Sequence, residues 1–402
     1  MVLGGKKNKN SFMTLNDFLR MTMLMGVEET LGGPLEVLLD CLWPESEKDI
    51  WADIKKQVEE LIDQKISDLV YQQVSEDLAG LNNNLGEYVW SLKSGDTITY
   101  TEQKWNELDT DIMQQLPHFQ SEGYELLLLP LFTQMANMHL AILRDGVLNG
   151  KDWGWGQETI DHVQSRLTST ISTYSGYTMS TYSDYYNDLV NKTKSNQHKT
   201  EPFNTINRFV RGMTGPVLDF VDVWPYYDCS VYPDMDSSII PPPREIYSDA
   251  VGTSDDNPFK IVNTPEGFPR TIKLWHGNMI DSMEVIYDEG MGPDGTTTSG
   301  RIGGSGGAEE PIVVNVAKDD YITDVQVGEY SGCIAGLIFK FQSDGQWYGW
   351  GAGTRFSYGN RVLSSISIMG KSNFCKTVDC VVLGFKLDPN YNPDSYYDGN
   401  GN

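Results

Sequence analysis

Catalysis needs acids, bases or nucleophiles at fixed spacing, and this sequence offers few. Its five histidines (His118, His139, His162, His198, His276) stand apart, with no H-E-x-x-H or other pairing that would bring two imidazoles to one metal ion. No G-x-S-x-G elbow presents a serine nucleophile. Residues 303–307 read GGSGG, but no helix pattern follows, and a dinucleotide phosphate needs that helix N-terminus. A tight loop between strands is expected there. Five cysteines (Cys41, Cys229, Cys333, Cys375, Cys380) are an odd number without a C-x-x-C pair, so free or buried thiols are expected. The sequence predicts no enzyme, no metal site and no cofactor.

A different chemistry is written into residues 126–143, LLLLPLFTQMANMHLAIL, which carry no formal charge. As a helix rising about 1.5 Å per residue they span about 27 Å, close to the roughly 30 Å of a bilayer core. The candidate lipid-contacting residues are Leu126, Leu127, Leu128, Leu129, Leu131, Phe132, Met135, Met138, Leu140, Ile142 and Leu143. Thr133, Gln134 and Asn137 fall on one narrow polar face. The same run suits the central helix of a soluble bundle, which is apolar on nearly all sides. His139, the one titratable residue in the run, reads as a buried neutral imidazole. Pro130 marks a first turn or a kink.

The elements around this run change character along the chain. Ile54, Val58, Leu61, Ile62, Ile66, Leu69, Val70, Val74, Leu78 and Leu81 keep a 3.6-residue spacing, which predicts one long amphipathic helix ending near Gly80. Further helices are predicted over 15–25, 35–42, 104–119, 160–190 and 203–223, so six or seven helices occupy 11–225. From about 256 the period falls to two. Short strands are predicted over 271–275, 283–287, 311–317, 321–327, 333–342, 347–350, 363–369 and 378–387, separated by glycine-rich turns. The expected architecture is multi-domain α plus β, with a helical bundle over 1–255 and an all-β domain over 256–402 that ends in a loose tail.

The formal net charge is −26, and only −7 of it lies from residue 256 onward. Such a chain repels phosphate backbones, so nucleic acid is not an expected partner. Anionic lipid should repel it too, unless the bundle rearranges. Met1–Asn10 holds three lysines but no apolar core follows, so synthesis without a cleaved signal peptide is expected.

Several ordered blocks carry a resemblance. Leu129-Pro130-Leu131-Phe132-Thr133-Gln134-Met135-Ala136-Asn137, Met138-His139-Leu140, Leu143-Arg144-Asp145 and Trp155-Gly156 resemble the central-helix signature of the bacterial crystal δ-endotoxins. Asn207-Arg208-Phe209-Val210-Arg211, Val217-Leu218-Asp219, Pro225-Tyr226-Tyr227-Asp228 and Arg244-Glu245-Ile246-Tyr247-Ser248-Asp249 resemble the last bundle helix and the exit from it. The resemblance runs through residues 35–250. It implies a pore-forming bundle of the seven-helix type, whose central helix and the preceding one insert as a hairpin after receptor binding and oligomerisation. Glu107, Asp111, Gln134 and Asn137 are then the pore-lining candidates, since carboxylates within a membrane are tolerated only facing a lumen.

The back half resembles the jacalin-related lectins, through Ile280-Asp281-Ser282-Met283, Tyr287-Asp288, the 303–307 loop, Asp320-Tyr321-Ile322, Tyr348-Gly349-Trp350-Gly351 and the Cys375-to-Asp379 stretch. That resemblance implies a β-prism. The lectins hold a sugar between a glycine pair near the start and a G-x-x-x-D loop near the end. Here Asp379 keeps the acid, Cys375 replaces the glycine, and the first loop offers only Gly267. The candidate binding residues are therefore Asp379, Cys375, Gly267, Gly303 and Gly304, with aromatic loops around Trp275, Trp347 and Trp350 as a second surface for a glycan or protein receptor.

Taken together, the resemblances imply a toxin stored as an inclusion and acting extracellularly at a target-cell membrane. Its partners would be membrane lipid and a membrane receptor or glycan, and its active form a homo-oligomer. The alternative is a soluble lectin or storage protein whose bundle serves as an oligomerisation scaffold and does not insert.

Overall fold

A computed structural model describes residues 43, 49–94, 97–193, 200–233, 240–253, 267–288, 298–370 and 376–391. The expected helices over 15–25 and 35–42, and Cys375, lie outside them. The chain divides into two compact units, one of residues 1–182 with 215–241, the other of 183–214 with 242–402.

The described part of the first unit is helical. Helix α1 (Ile50–Ile62) starts where the Asp49 carboxylate accepts the Ala52 amide at 3.0 Å. It stops at Asp63, whose φ of 54° is left-handed. Helix α2 (Asp68–Ser94) follows. The single long helix expected over 54–81 is thus two helices. The reason is local: Glu59 takes the Ile66 amide on its side chain at 2.9 Å, while its carbonyl takes the Gln64 amide at 3.3 Å. This closes α1 in a turn that the 3.6-residue spacing carries across unseen. Gly80 is tolerated inside α2, which runs on through Asn82-Asn83-Asn84.

Helix α3 (Ile98–Gln115) leads through a 3-10 turn (Leu116–Gln120) into α4 (Glu125–Asn149). Helix α4 holds Pro130 inside it and extends six residues beyond the uncharged run. Helix α5 (Gln157–Thr193) is the longest. Helix α6 (Thr200–Met213), expected to continue to 223, passes into a π-helical turn (Thr214–Leu218), α7 (Asp219–Val223) and a 3-10 turn (Trp224–Tyr227).

The second unit holds three four-stranded sheets around one apolar core, the β-prism expected. Strands β3 (Pro269–His276), β4 (Ile280–Tyr287), β5 (Ile302–Gly303) and β6 (Ile312–Asn315) run in the order β5-β4-β3-β6. Strands β7 (Ile322–Tyr330), β8 (Cys333–Phe341), β9 (Trp347–Trp350) and β10 (Thr354–Phe356) run β10-β7-β8-β9. Strands β11 (Arg361–Gly370) and β12 (Val378–Leu387) join two strands that the sequence reading missed, β1 (Ile246–Tyr247) and β2 (Val251–Gly252). Both pair with β12. Two-residue strands are too short to show a period of two. Cys333 is disulfide-bonded, which corrects the expectation of free thiols throughout; Cys229 and Cys380 are free and buried.

Helix α6 is pinned to this sheet by amides that imitate strand pairing. Asn204 exchanges two hydrogen bonds with Ala250, its Oδ1 accepting at 2.6 Å and its Nδ2 donating at 3.2 Å. Asn207 Nδ2 donates to the Tyr247 and Ser248 carbonyls at 3.0 and 2.8 Å. Phe203 packs with Ala250, Cys380 and Val382 beneath.

Two outcomes follow. Asn207→Ala strands the buried Ser248 carbonyl and should lower stability by about 1–3 kcal/mol in urea titrations. In β7, burial would raise the Asp324 carboxyl, but hydrogen bonds from Thr323, Arg355 and Ser357 and the charge of Arg355 hold it below the usual range. A depressed folded pKa gives stability that is present above the unfolded value of about 3.9 and is lost as pH falls through the folded one. Urea midpoints should therefore decline on acidification below about pH 4, and Asp324→Asn should flatten that decline.

Candidate functional site

Among the described residues α4 is the one helix long and apolar enough to cross a membrane, and 94% of its most apolar window is buried. Leu127, Leu128, Leu129, Leu131, Phe132, Met135, Met138, Leu140, Ile142 and Leu143 are all buried, and Leu126 is half-buried. The candidate insertion surface is thus sheathed in protein on every side. Phe132 meets Tyr174 and Tyr177 of α5 with ring centroids 5.7 and 4.6 Å apart. Trp105 of α3 donates its indole N–H to the Ile142 carbonyl at 2.8 Å.

The polar atoms of α4 are met by specific partners. Asn137 Oδ1 accepts from the Tyr227 hydroxyl at 2.7 Å and from Trp224 Nε1 at 3.3 Å. The Thr133 hydroxyl donates to the Leu129 carbonyl at 2.8 Å. His139 is bonded on both ring nitrogens. Its Nε2 lies 2.9 Å from the Asp109 carboxylate, and Nδ1 meets the Tyr174 hydroxyl. Burial, with Asp109 nearby, pushes the Tyr174 phenol far above its ordinary value. It therefore stays protonated, and Nε2, which faces a carboxylate that can only accept, is the ring nitrogen that donates to Asp109. Arg166 Nη2 reaches both Asp109 oxygens at 2.9 Å. One carboxylate thereby joins α3, α4 and α5.

The sequence singles out neither Arg166 nor Tyr174, and marks Asp109 only as one of the acids, with Glu107 and Asp111, that the family resemblance would turn toward a lumen; here it is buried. A signal existed: Trp105, Leu108, Asp109 and Ile112 form the buried stripe of α3 at i, i+3, i+4 and i+7, so the helical period already places Asp109 inside. Glu107 and Asp111 lie on the other side of α3, Glu107 exposed and paired with Lys104 at 2.9 Å, Asp111 half-buried against Asn84. Gln134 and Asn137 are buried. The four pore-lining candidates are not together in this closed state.

Toward the end of α4, Arg144 is 2% exposed and has no carboxylate partner among the described residues. Its Nη1 donates to the Tyr227 and Tyr232 carbonyls at 3.0 and 3.2 Å and to Cys229 Sγ at 3.3 Å. Burial pushes the Cys229 thiol up to about 11, so it remains a neutral acceptor.

In the prism the described sugar-site candidates are buried or closely packed. Asp379 is buried at the start of β12. Gly267 is buried. Gly303, at φ 118°, would bring a Cβ within 2.5 Å of the Asp281 carbonyl, and a Cβ on Gly304 would lie 2.0 Å from that of Lys376. Both glycines serve close packing of backbone on backbone. Trp275 is half-buried beneath the Arg301 guanidinium, 4.2 Å from its ring. Trp347 and Trp350 are exposed.

The chain matches the model of the delta endotoxin N-terminal domain over residues 20–228 and that of the jacalin-like lectin domain over 248–380. It is 35% identical over 217 residues to pesticidal crystal protein Cry1Id of Bacillus thuringiensis, covering 52% of this chain and 28% of that protein. It is 34% identical over 224 residues to Cry7Ab of B. thuringiensis subsp. dakota, covering 54% and 19%. The chain thus spans less than a third of the length of these relatives. In fold it is similar to a Cry1Da tryptic core variant of B. thuringiensis, with a TM-score of 0.76 at 20% identity over 94% of this chain and 74% of that one. It is also similar to PirB, with a TM-score of 0.70 at 13% identity over 94% and 95%. The first match takes in just over half of the sequence, and by it the chain belongs to the delta-endotoxin N-terminal domain family, with a jacalin-like lectin domain following.

Proposed function

We propose that this chain is a pore-forming toxin, which docks on a target-cell receptor or glycan through its β-prism and inserts the α3–α4 hairpin into the membrane as a homo-oligomer. Storage as an inclusion and action outside the producing cell accord with the crystal-protein relatives. The observation that carries the reading is α4: a membrane-length apolar helix whose most apolar window is 94% buried inside the protein. Glu107, Asp111, Gln134 and Asn137 would face the lumen after rearrangement. No catalytic step is required. The burial of α4 equally suits a lectin or storage protein whose bundle never opens, and dye release from vesicles separates the two. Leakage across a range of pH, with and without protease, is expected; its absence under every condition would reject insertion.

Insertion must part α4 from α5, and so break the contacts of Asp109 and His139 with Arg166 and Tyr174. Arg166→Met leaves the buried Asp109 carboxylate without its guanidinium and should reduce bundle stability by about 3 kcal/mol, measured by denaturant titration. The same variant should release dye faster than the parent. Conversely, a disulfide joining α4 to α5, at positions whose Cα atoms lie within about 7 Å, should suppress leakage until it is reduced. Undiminished leakage from the oxidised form would count against a separating hairpin.

A further inference from the structure

The β-prism shows two surfaces of opposite kind. At the position where the lectin resemblance puts the sugar acid, Asp379 is 3% exposed. At strand β9, large aromatic rings stand in solvent: Trp347, Tyr348 and Trp350 are 36%, 40% and 39% exposed. Among the described strands β9 is an edge, paired with β8 on one side only. Tyr348 and Trp350, with Gln346, lie on one face of the strand and Trp347 on the other, so the exposed aromatic face that marks an interaction surface is that of Tyr348 and Trp350.

The Tyr348 and Trp350 rings are held in place. Trp350 stacks on His276 at 3.8 Å between centroids with planes 18° apart, which covers one of its faces. Tyr348 packs on Phe341 at 4.6 Å, and its hydroxyl donates to the Asp344 carboxylate at 2.5 Å. That carboxylate also takes the Gln346 amide at 2.8 Å. Both hydrogen bonds hold it ionised, and its remaining lone pairs face solvent. Lys340, opposite Trp347 in register, lies 3.8 Å from Asp324. Arg355 pairs with the same Asp324, so the carboxylate that stands beside the rings without a cation of its own among the described residues is that of Asp344.

We infer that the β9 edge is a binding surface for neutral saccharide, used in place of the site around Asp379. Pre-positioned indole and phenol faces stack on the C–H faces of a pyranose. The Asp344 carboxylate and the exposed Gln346 amide accept and donate hydrogen bonds to its hydroxyls. The same carboxylate disfavours a sialylated glycan or an anionic lipid surface, which it would repel while being desolvated. This deepens the proposed function, because it rests on the prism as the docking module.

The test uses the full chain on immobilised chitotetraose, oligomannose, N-acetyllactosamine and a sialylated trisaccharide. Flotation with phosphatidylcholine vesicles, with and without phosphatidylserine, runs alongside. At least one neutral saccharide should be retained in preference to the sialylated one. Trp350→Ala should weaken that binding by about ten-fold or more, Trp350→Phe should restore part of it, and Asp379→Asn should leave it unchanged. If Trp350→Ala fails to fold, Asp344→Asn and Trp350→Phe carry the test, each expected to weaken retention. Retention of none of the neutral saccharides would overturn the inference. So would loss in Asp379→Asn with Trp350→Ala unaffected, or an effect of Trp350→Ala on vesicle flotation alone. Dye release from vesicles without glycan separates the two readings: its failure with saccharide binding intact rejects the pore and leaves the β9 surface standing.

Discussion

The Asp109 carboxylate is the point on which the helical unit depends. Taking it out of water costs several kcal/mol unless donors surround it. Those donors come from two other helices, Arg166 on α5 and His139 on α4. A helix that slid by one turn, about 5.4 Å, would leave a bare charge in an apolar interior. Leucines around α4 could repack after such a slip with little penalty; the polar cluster cannot. The cluster therefore fixes the register of three helices whose apolar surfaces alone would leave it loose.

The same demand recurs with other answers. Arg144 is buried without a carboxylate partner among the described residues, and its guanidinium donates to the Tyr227 and Tyr232 carbonyls, which ties that segment to α4. That segment also supplies the Tyr227 hydroxyl to Asn137. In the second unit, Asn204 and Asn207 supply α6 with the donors and acceptor that β1 and the residues after it would otherwise seek from a neighbouring strand. In each case a polar side chain on a helix satisfies backbone groups of an irregular segment, so order in the loops follows from the helices.

What could be read beforehand divides along physical lines. Helix α4 was legible because eighteen residues without charge leave few alternatives, and β9 because its aromatics are bounded by glycines. The break between α1 and α2 was not, because Ile62 and Ile66 keep helical spacing across it and the decisive contact is a single Glu59 side-chain hydrogen bond. Strand β10, Thr354–Phe356, has three residues and no period to detect. Gly303 and Gly304 stand out in the sequence as candidate binding positions, but composition cannot say whether a missing Cβ makes room for a ligand or for a neighbouring strand. Here it is the Asp281 and Lys376 backbone. The burial of Asp379 likewise depends on which strands flank β12, and β1 and β2 are too short to announce themselves.

The charge of −26 constrains how the proposed hairpin could enter a bilayer. On α3, Glu107 and Asp111 are four residues apart and share a face, whereas Asp109 is about 200° away from Glu107 around the helix. No rotation of α3 points all three at one lumen. Asp109, however, already faces His139, and both residues belong to the hairpin. If α3 and α4 move together, that pair travels intact, while Arg166 and Tyr174 stay behind on α5. The pair then keeps the contact between His139 Nε2 and the Asp109 carboxylate, leaving Glu107 and Asp111 free to turn toward water. The buried acid that locks the closed bundle is thus compatible with an open one in which α3 and α4 stay together.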